Sequence, residues 1–303
     1  MAIKYNSLNV DEKYSGILEP NLYYNNVLVP GVTCTDKYET GPAGQIYVHK
    51  ITTSAVEPGT PGRDFTDTAV ADTLIPIQLN NNFQRSYKLY GVQAAAVDFA
   101  LGEEAMSTAT QECREGWMQS GLGCLVQEGT AATLTAAITN VKDDIVKTRA
   151  EIVKAKGRAD VVMCSPDFYA QVLLAAGSEF TPTRNDRIAD EGNVGVWLGM
   201  TFVEANGLTG SIKYYDSTGT LKTVDCSAVQ YIMYYHEALS VITNFEAARI
   251  VDSENFVGSK AQVEMNTGYK VTNNVLARVR KVAASGTKEN GGGGSEEEHV
   301  QQL

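Results

Sequence analysis

The stretch from Gly157 to Leu208 constrains the fold of this chain more than any other part of it. Val161, Val162 and Met163 form a short apolar run of the kind a buried strand uses. Ser165 follows as a helix cap that can accept a backbone N–H. Pro166 suits the first helical position, where its missing N–H would be unpaired anyway. Asp167 sets negative charge at the positive end of the helix dipole. Phe168, Val172 and Leu173 supply one apolar side, and Gly177 marks the end. A strand packed beneath a helix is the local expectation.

Helical spacing recurs upstream. Leu134, Ile138, Val141, Ile145, Thr148, Ile152 and Ala155 lie four and three residues apart, which predicts a helix over 134–156 closed by Gly157. Phe99, Met106, Ala109, Cys113 and Trp117 predict another over 98–120, with Gly121 and Gly123 as its stop. Elsewhere the pattern is β. Gln45–Ala55 and Leu74–Leu79 read as strands around a long Pro/Gly-punctuated tip, Glu57 to Asp72. A two-stranded hairpin is marginal by itself in water, so such an arm is expected to lie on something else. Ser211–Asp216 and Thr220–Asp225 flank a turn as a second hairpin. Val229–Tyr235, Ala247–Val251, Lys260–Met265 and Val275–Val282 read as further strands, the last after a turn at Asn273-Asn274.

Residues 1–40 are polar and rich in tyrosine, whereas disordered tails are poor in aromatics. They read as an extended arm, with Tyr14, Tyr23 and Tyr24 packing on another surface. Residues 284–303 combine Gly-Gly-Gly-Gly-Ser with Glu-Glu-Glu and read as a flexible acidic tail.

Several function classes are disfavoured. The 303 residues hold 25 Lys+Arg and 36 Asp+Glu, a net charge of −11, which argues against a general nucleic-acid binder. The five cysteines are odd in number, far apart and without a Cys-x-x-Cys pair, so reduced thiols are expected rather than a disulfide framework or zinc site. The N-terminal residues lack a signal-peptide core, and no apolar run is long enough to span a bilayer. His49, His236 and His299 have no partner at metal spacing. No Gly-x-Ser-x-Gly elbow, phosphate loop or dinucleotide fingerprint occurs. Asp64, Asp67 and Asp72 lack the register of a calcium loop. No catalytic residue, cofactor or metal is expected.

The order of parts carries a resemblance. A strand-Ser-Pro-helix unit, a polar loop, and then Gly195-x-x-x-Gly199-x-Thr201-Phe-Val-x-x-Asn206-Gly-Leu resemble the axial domain of tailed-bacteriophage major capsid proteins, whose fold is named after phage Hong Kong ninety-seven. A strand entering His236-x-Ala238 is a further similar feature. The resemblance spans roughly residues 30–283.

It implies an α+β fold in six parts. These are an N-terminal arm (1–40), an extended β-hairpin loop (41–92) and a peripheral domain with a long spine helix (93–157). They continue with an axial αβ domain (158–246), return strands of the peripheral domain (247–283) and the acidic tail. It implies subunit contacts at the extended-loop tip (Pro58, Gly59, Pro61, Gly62, Arg63, Asp64, Phe65), at the axial loop (Thr183, Arg184, Asn185, Asp186, Arg187) and along the arm. The implied role is an icosahedral shell of hexamers and pentamers. It would enclose double-stranded phage DNA without sequence-specific binding and without a membrane, and would assemble in the host cytoplasm into the virion. With about forty residues ahead of the extended loop, a separate scaffold protein, or none, is implied, with portal and decoration proteins as further partners. Lys50 and Asn273 or Asn274 correspond only loosely to the residues some members cross-link, and no cross-link is expected. The alternatives are an encapsulin-type nanocompartment, separable by its protein cargo, and a cytosolic α/β enzyme, which would need a convergent polar pocket.

Overall fold

The structure, a computed structural model, describes residues 26–38, 44–52, 69–79, 81–91, 101–134, 138–182, 194–216 and 218–282. Its centre is the expected strand-cap-helix unit. Strand β5 (Val161–Cys164) is buried along its whole length. Ser165 Oγ accepts from Phe168 N at 3.4 Å, Pro166 opens helix α3 (Pro166–Ala176), and Gly177 ends it at φ +49°.

Around β5 the chain builds a seven-stranded mixed sheet. Its members are β4 (Thr130–Leu134), β14 (Ala277–Val282), β11 (Val229–Tyr234), β5, β8 (Met200–Glu204), β7 (Val194–Trp197) and β6 (Thr181–Pro182), in that order. Strand alternation sorts its side chains onto two faces. Val162, Cys164, Tyr231, Met233 and Phe202 meet α3 and helix α2 (Val141–Lys154) in one core. Val161, Met163, Ile232, Tyr234 and Val279 face a second core on the other side.

That second core holds the C-terminal half of the long helix α1 (Leu101–Glu128), the hairpin β9 (Ser211–Tyr215) and β10 (Leu221–Asp225), and the segment Val27–Cys34. The N-terminal half of α1 lies on a three-stranded antiparallel sheet of order β12 (Leu239–Asp252), β13 (Gly258–Val271) and β3 (Asn81–Tyr90). Ala109 and Cys113 pack there against Val263. Strands β1 (Gln45–Thr52) and β2 (Ala71–Gln78) form a separate two-stranded ribbon.

Four expectations change. Gly121 and Gly123 do not stop α1, which continues to Glu128. They are close-packing positions: a β-carbon would lie 2.3 Å from Leu28 Cδ1 at Gly121 and 2.5 Å from Tyr214 Cβ at Gly123. The expected 134–156 helix begins only at Val141, where Asn140 Oδ1 caps it by accepting from Asp143 N at 3.1 Å. Leu134 instead ends β4, so the seven-member seam joined two elements. Residues 27–35 are not an arm reaching elsewhere. Val27, Leu28 and Cys34 are fully buried in the chain's own core, and Thr35 bridges Ser240. Finally, β14 pairs with β11 and β4, so 277–282 joins the sheet of β5 rather than that of β12 and β13.

Candidate assembly surfaces

Among the described residues, the β1–β2 ribbon packs on the rest of the chain at its root. Its register pairs Ile46 with Ile77 and Val48 with Ile75, and these residues share one face. At the root, Ile77 and Leu79 are buried with Ile242, and Ile46, Val48 and Tyr38 pack against them. Gly268 permits this approach, since a β-carbon there would stand 2.5 Å from the Gln78 carbonyl oxygen. The opposite face carries Tyr47, His49 and Ile51 against Pro76, Leu74 and Asp72. Tyr47, Ile51 and Leu74 are 57%, 62% and 51% exposed, although each is apolar. Among them His49 Nδ1 lies 2.5 Å from Asp72 Oδ2. The ribbon thus has apolar side chains on both faces and a supporting core on one, a pattern that marks a contact surface.

The body behind the ribbon is braced by buried polar contacts. The Tyr231 hydroxyl donates to the Asp144 carboxylate, and lies 2.7 Å from Thr148 Oγ1. Arg280 Nε donates to Thr148 Oγ1 at 2.9 Å, and its Nη2 to Glu151 Oε1 at 2.8 Å. Burial, and after it the Asp144 hydrogen bond, push the Tyr231 phenol well above its ordinary range. This network ties α2 to β11 and β14. At the end of α1, Glu128 accepts from Lys270 Nζ at 2.6 Å and from Val271 N at 2.9 Å, fixing the helix to β13.

Catalytic chemistry has no comparable support. His236 Nδ1 lies 2.5 Å from Asp160 Oδ2, while Asp160 Oδ1 accepts from His236 N at 2.9 Å, an arrangement that secures the turn after β11. No nucleophile adjoins that pair among the contacts described. The five cysteines are buried and unpaired, and burial raises Cys34 and Cys226 to about 12, which disfavours the reactive thiolate. Among the described residues, no group of three or more His, Cys, Asp or Glu is placed to hold a metal ion, and no helix is long and apolar enough to cross a membrane. A groove of about 480 Å³ runs between α1 and β3, lined by Asn82–Arg85, Glu112, Cys113, Glu115, Gly116 and Gln119. Its Arg85 is engaged with Glu112 and Tyr87 rather than aimed at an open centre.

The contact residues named from sequence fall outside the described residues. Pro58 to Phe65 at the extended-loop tip, Thr183 to Arg187 in the axial loop, and Tyr14, Tyr23 and Tyr24 of the arm are all in this position. What sequence reasoning missed is the outward ribbon face. Its signal was present: Tyr47 and Ile51 interleave with Ile46 and Val48, so β1 is apolar on both faces.

Comparison of this architecture with solved structures finds likenesses that run nearly end to end. The capsid structure of cyanophage P-SCSP1u superposes with a TM-score of 0.70 at 12% identity, over 90% of this chain and 93% of that one. The chain has a phage capsid fold. A chain of Mycobacterium phage Che8 gives 0.63 at 17% identity, over 90% and 97%. The capsid of a native GTA particle gives 0.62 at 12% identity, over 93% and 98%. No protein-family model and no curated protein matches the sequence.

Proposed function

We propose that this chain is a major capsid protein, many copies of which close into the icosahedral shell of a tailed bacteriophage around its double-stranded DNA. The observation that carries the reading is the capsid fold across nine-tenths of the chain. The β1–β2 ribbon supports it physically. A ribbon of two strands with exposed apolar residues gains little by itself, and realises its burial only against another surface. Obligate interfaces of this kind are large, and a heterologous contact closes into rings when its rotation permits.

On this reading the extended loop is the β1–β2 ribbon with the residues between its strands and 158–246 is the axial domain, while β3, 277–282 and 27–35 belong to the body of the subunit. The loop tip, the axial loop and the N-terminal arm then make the contacts of hexamers and pentamers. A separate scaffold, a portal and decoration proteins complete the particle, which assembles in the host cytoplasm. The net charge of −11 suits a wall that encloses DNA without gripping it. Neither a nanocompartment nor an enzyme gains a specific observation in its favour.

Negative-stain electron microscopy with light scattering of the purified protein tests the proposal. Closed shells or capsomer rings are the expected result. A uniform monomer or small dimer, unchanged by concentration or by added scaffold, would refute it.

A further inference from the structure

We infer that the turn closing α2, which carries Lys154, Lys156 and Arg158, contacts the phosphate backbone of duplex DNA, so that this end of the subunit faces the interior of the shell; this rests on the capsid reading above. All three cations are exposed. Among the described residues none of them has an ion pair, and no other stretch carries three such cations within five positions. The acidic groups beside the turn are already engaged. Glu151 pairs with Arg278 and Arg280, and Asp160 with His236 and its backbone N–H. The net charge of −11 describes the chain as a whole; at this end the cations are left over.

These cations are not needed to end the helix. A helix C-terminus attracts positive charge because its last carbonyls are unpaired. Here the main chain caps them: Glu151 O accepts from Ala155 N at 3.2 Å, Ile152 O from Gly157 N at 2.9 Å and Val153 O from Lys156 N at 2.9 Å. Lys156 makes its bond at φ +62°, the left-handed conformation that such a cap usually gives to glycine. A side chain at that φ is a strain, and retained strain points to a place where the side chain is used. The turn is also closely seated. A β-carbon at Gly157 would stand 2.2 Å from Leu276 Cδ2, and Arg158 Cζ lies 6.0 Å from the centre of the Tyr235 ring.

Three unpaired cations on a seated turn match a polyanion, and the polyanion inside a shell of this kind is its DNA. Contacts to phosphate position a duplex without reading its bases. They draw their free energy from released counterions, so they weaken as salt rises. Three such contacts touch the duplex at one place on an otherwise acidic wall.

The test titrates the full chain, as unassembled subunits, with a fluorescent DNA duplex of about 20 base pairs at rising salt. Three phosphate contacts give a slope of about −2.7 in log affinity against log salt. The joint variant Lys154→Gln, Lys156→Gln and Arg158→Gln should bind at least tenfold more weakly, with a slope near zero. Lys50→Gln, Lys88→Gln and Lys213→Gln together make the same change in net charge at exposed cations elsewhere, and should bind within twofold of the unsubstituted chain. Lys156→Gly separates contact from architecture. It relieves the left-handed strain, so it should raise the urea midpoint while weakening DNA binding at least twofold. No binding by the unsubstituted chain, equal losses in the two triple variants, or unchanged binding by Lys156→Gly overturns the inference. So does poly-glutamate that displaces the duplex as well as unlabelled DNA of the same charge, which would assign the turn to an acidic protein. Closed shells from the unsubstituted chain leave the capsid reading standing in each of these cases. If that chain makes no shell at all, the capsid reading fails and the inference with it.

Discussion

Gly123, inside the long helix α1, stands so close to Tyr214 of β9 that a β-carbon on it would lie 2.5 Å from the Tyr214 Cβ. Tyr214 Cβ is anchored to its backbone and cannot swing away as a side-chain tip can. Gly123→Ala should therefore push the hairpin off the helix. Overpacking of this sort costs about 1–3 kcal/mol, against about 1 kcal/mol gained in helix propensity. A net loss of up to about 2 kcal/mol is expected from urea midpoints of the unassembled subunit. Gly102→Ala is the control. There the β-carbon meets two flexible side-chain tips, Ile250 Cδ1 at 3.3 Å and Leu89 Cδ1 at 3.7 Å, and the change should be neutral or slightly stabilising.

Arg280 joins β14 to α2 through Thr148 and Glu151, and its side chain is only 7% exposed. Arg280→Met removes the buried cation and leaves Asp144 facing the Tyr231 hydroxyl without it. Breaking a buried ion pair from one side costs about 3–5 kcal/mol. Tyr231→Phe removes one donor and should cost about 1–3 kcal/mol. Denaturation curves that coincide with the unsubstituted chain for both variants would show that the network does not hold α2.

Truncation should divide sharply within five residues. Deleting residues 1–25 spares Val27, Leu28 and Val29, so the subunit should fold, and any effect falls on assembly. Deleting residues 1–30 takes three buried side chains from the core, and Leu28 with them from its place against Gly121. That subunit should lose its cooperative unfolding transition in calorimetry. Equal folding of the two would mean that 27–30 adds nothing to the core.

The outward face of the ribbon should matter to shells and not to subunits. Leu74→Glu and Ile51→Asp place charge on side chains already exposed, so subunit stability should change by less than about 0.5 kcal/mol. Shell yield by light scattering should fall at least tenfold if this face is buried on assembly. Normal yield from both variants would remove the ribbon face from the interface.

Glu115 offers a pH signature. Burial, and after it the Glu112 charge, hold its carboxyl above the usual carboxylate range. The folded subunit thus binds this proton more tightly than the unfolded chain, and stability falls as pH rises from the ordinary carboxylate value through the raised one. Above that window the ionised carboxylate is a standing penalty. Glu115→Gln should make the unassembled subunit more stable at pH 7 and flatten its stability across that window. Identical pH profiles for the two proteins would remove the basis for this reading.

The sequence by itself determined the local parts. Ser165, Pro166 and Gly177 set both ends of α3, because capping chemistry is decided within a few residues. The β9–β10 hairpin and the root strands of the ribbon were legible in the same way, from alternation around turn residues. The tertiary structure decided what each part was for. Gly121 and Gly123 look like helix stops until Leu28 and Tyr214 are seen against them, since a glycine kept for close packing and one kept for a turn are the same letter. Leu134 continued a helical seam by spacing, yet pairing with Val282 drew it into β4. Val27 and Leu28 read as part of a polar arm because their burial depends on residues about ninety or more positions away. Spacing reports which side chains share a face; only packing reports what that face meets.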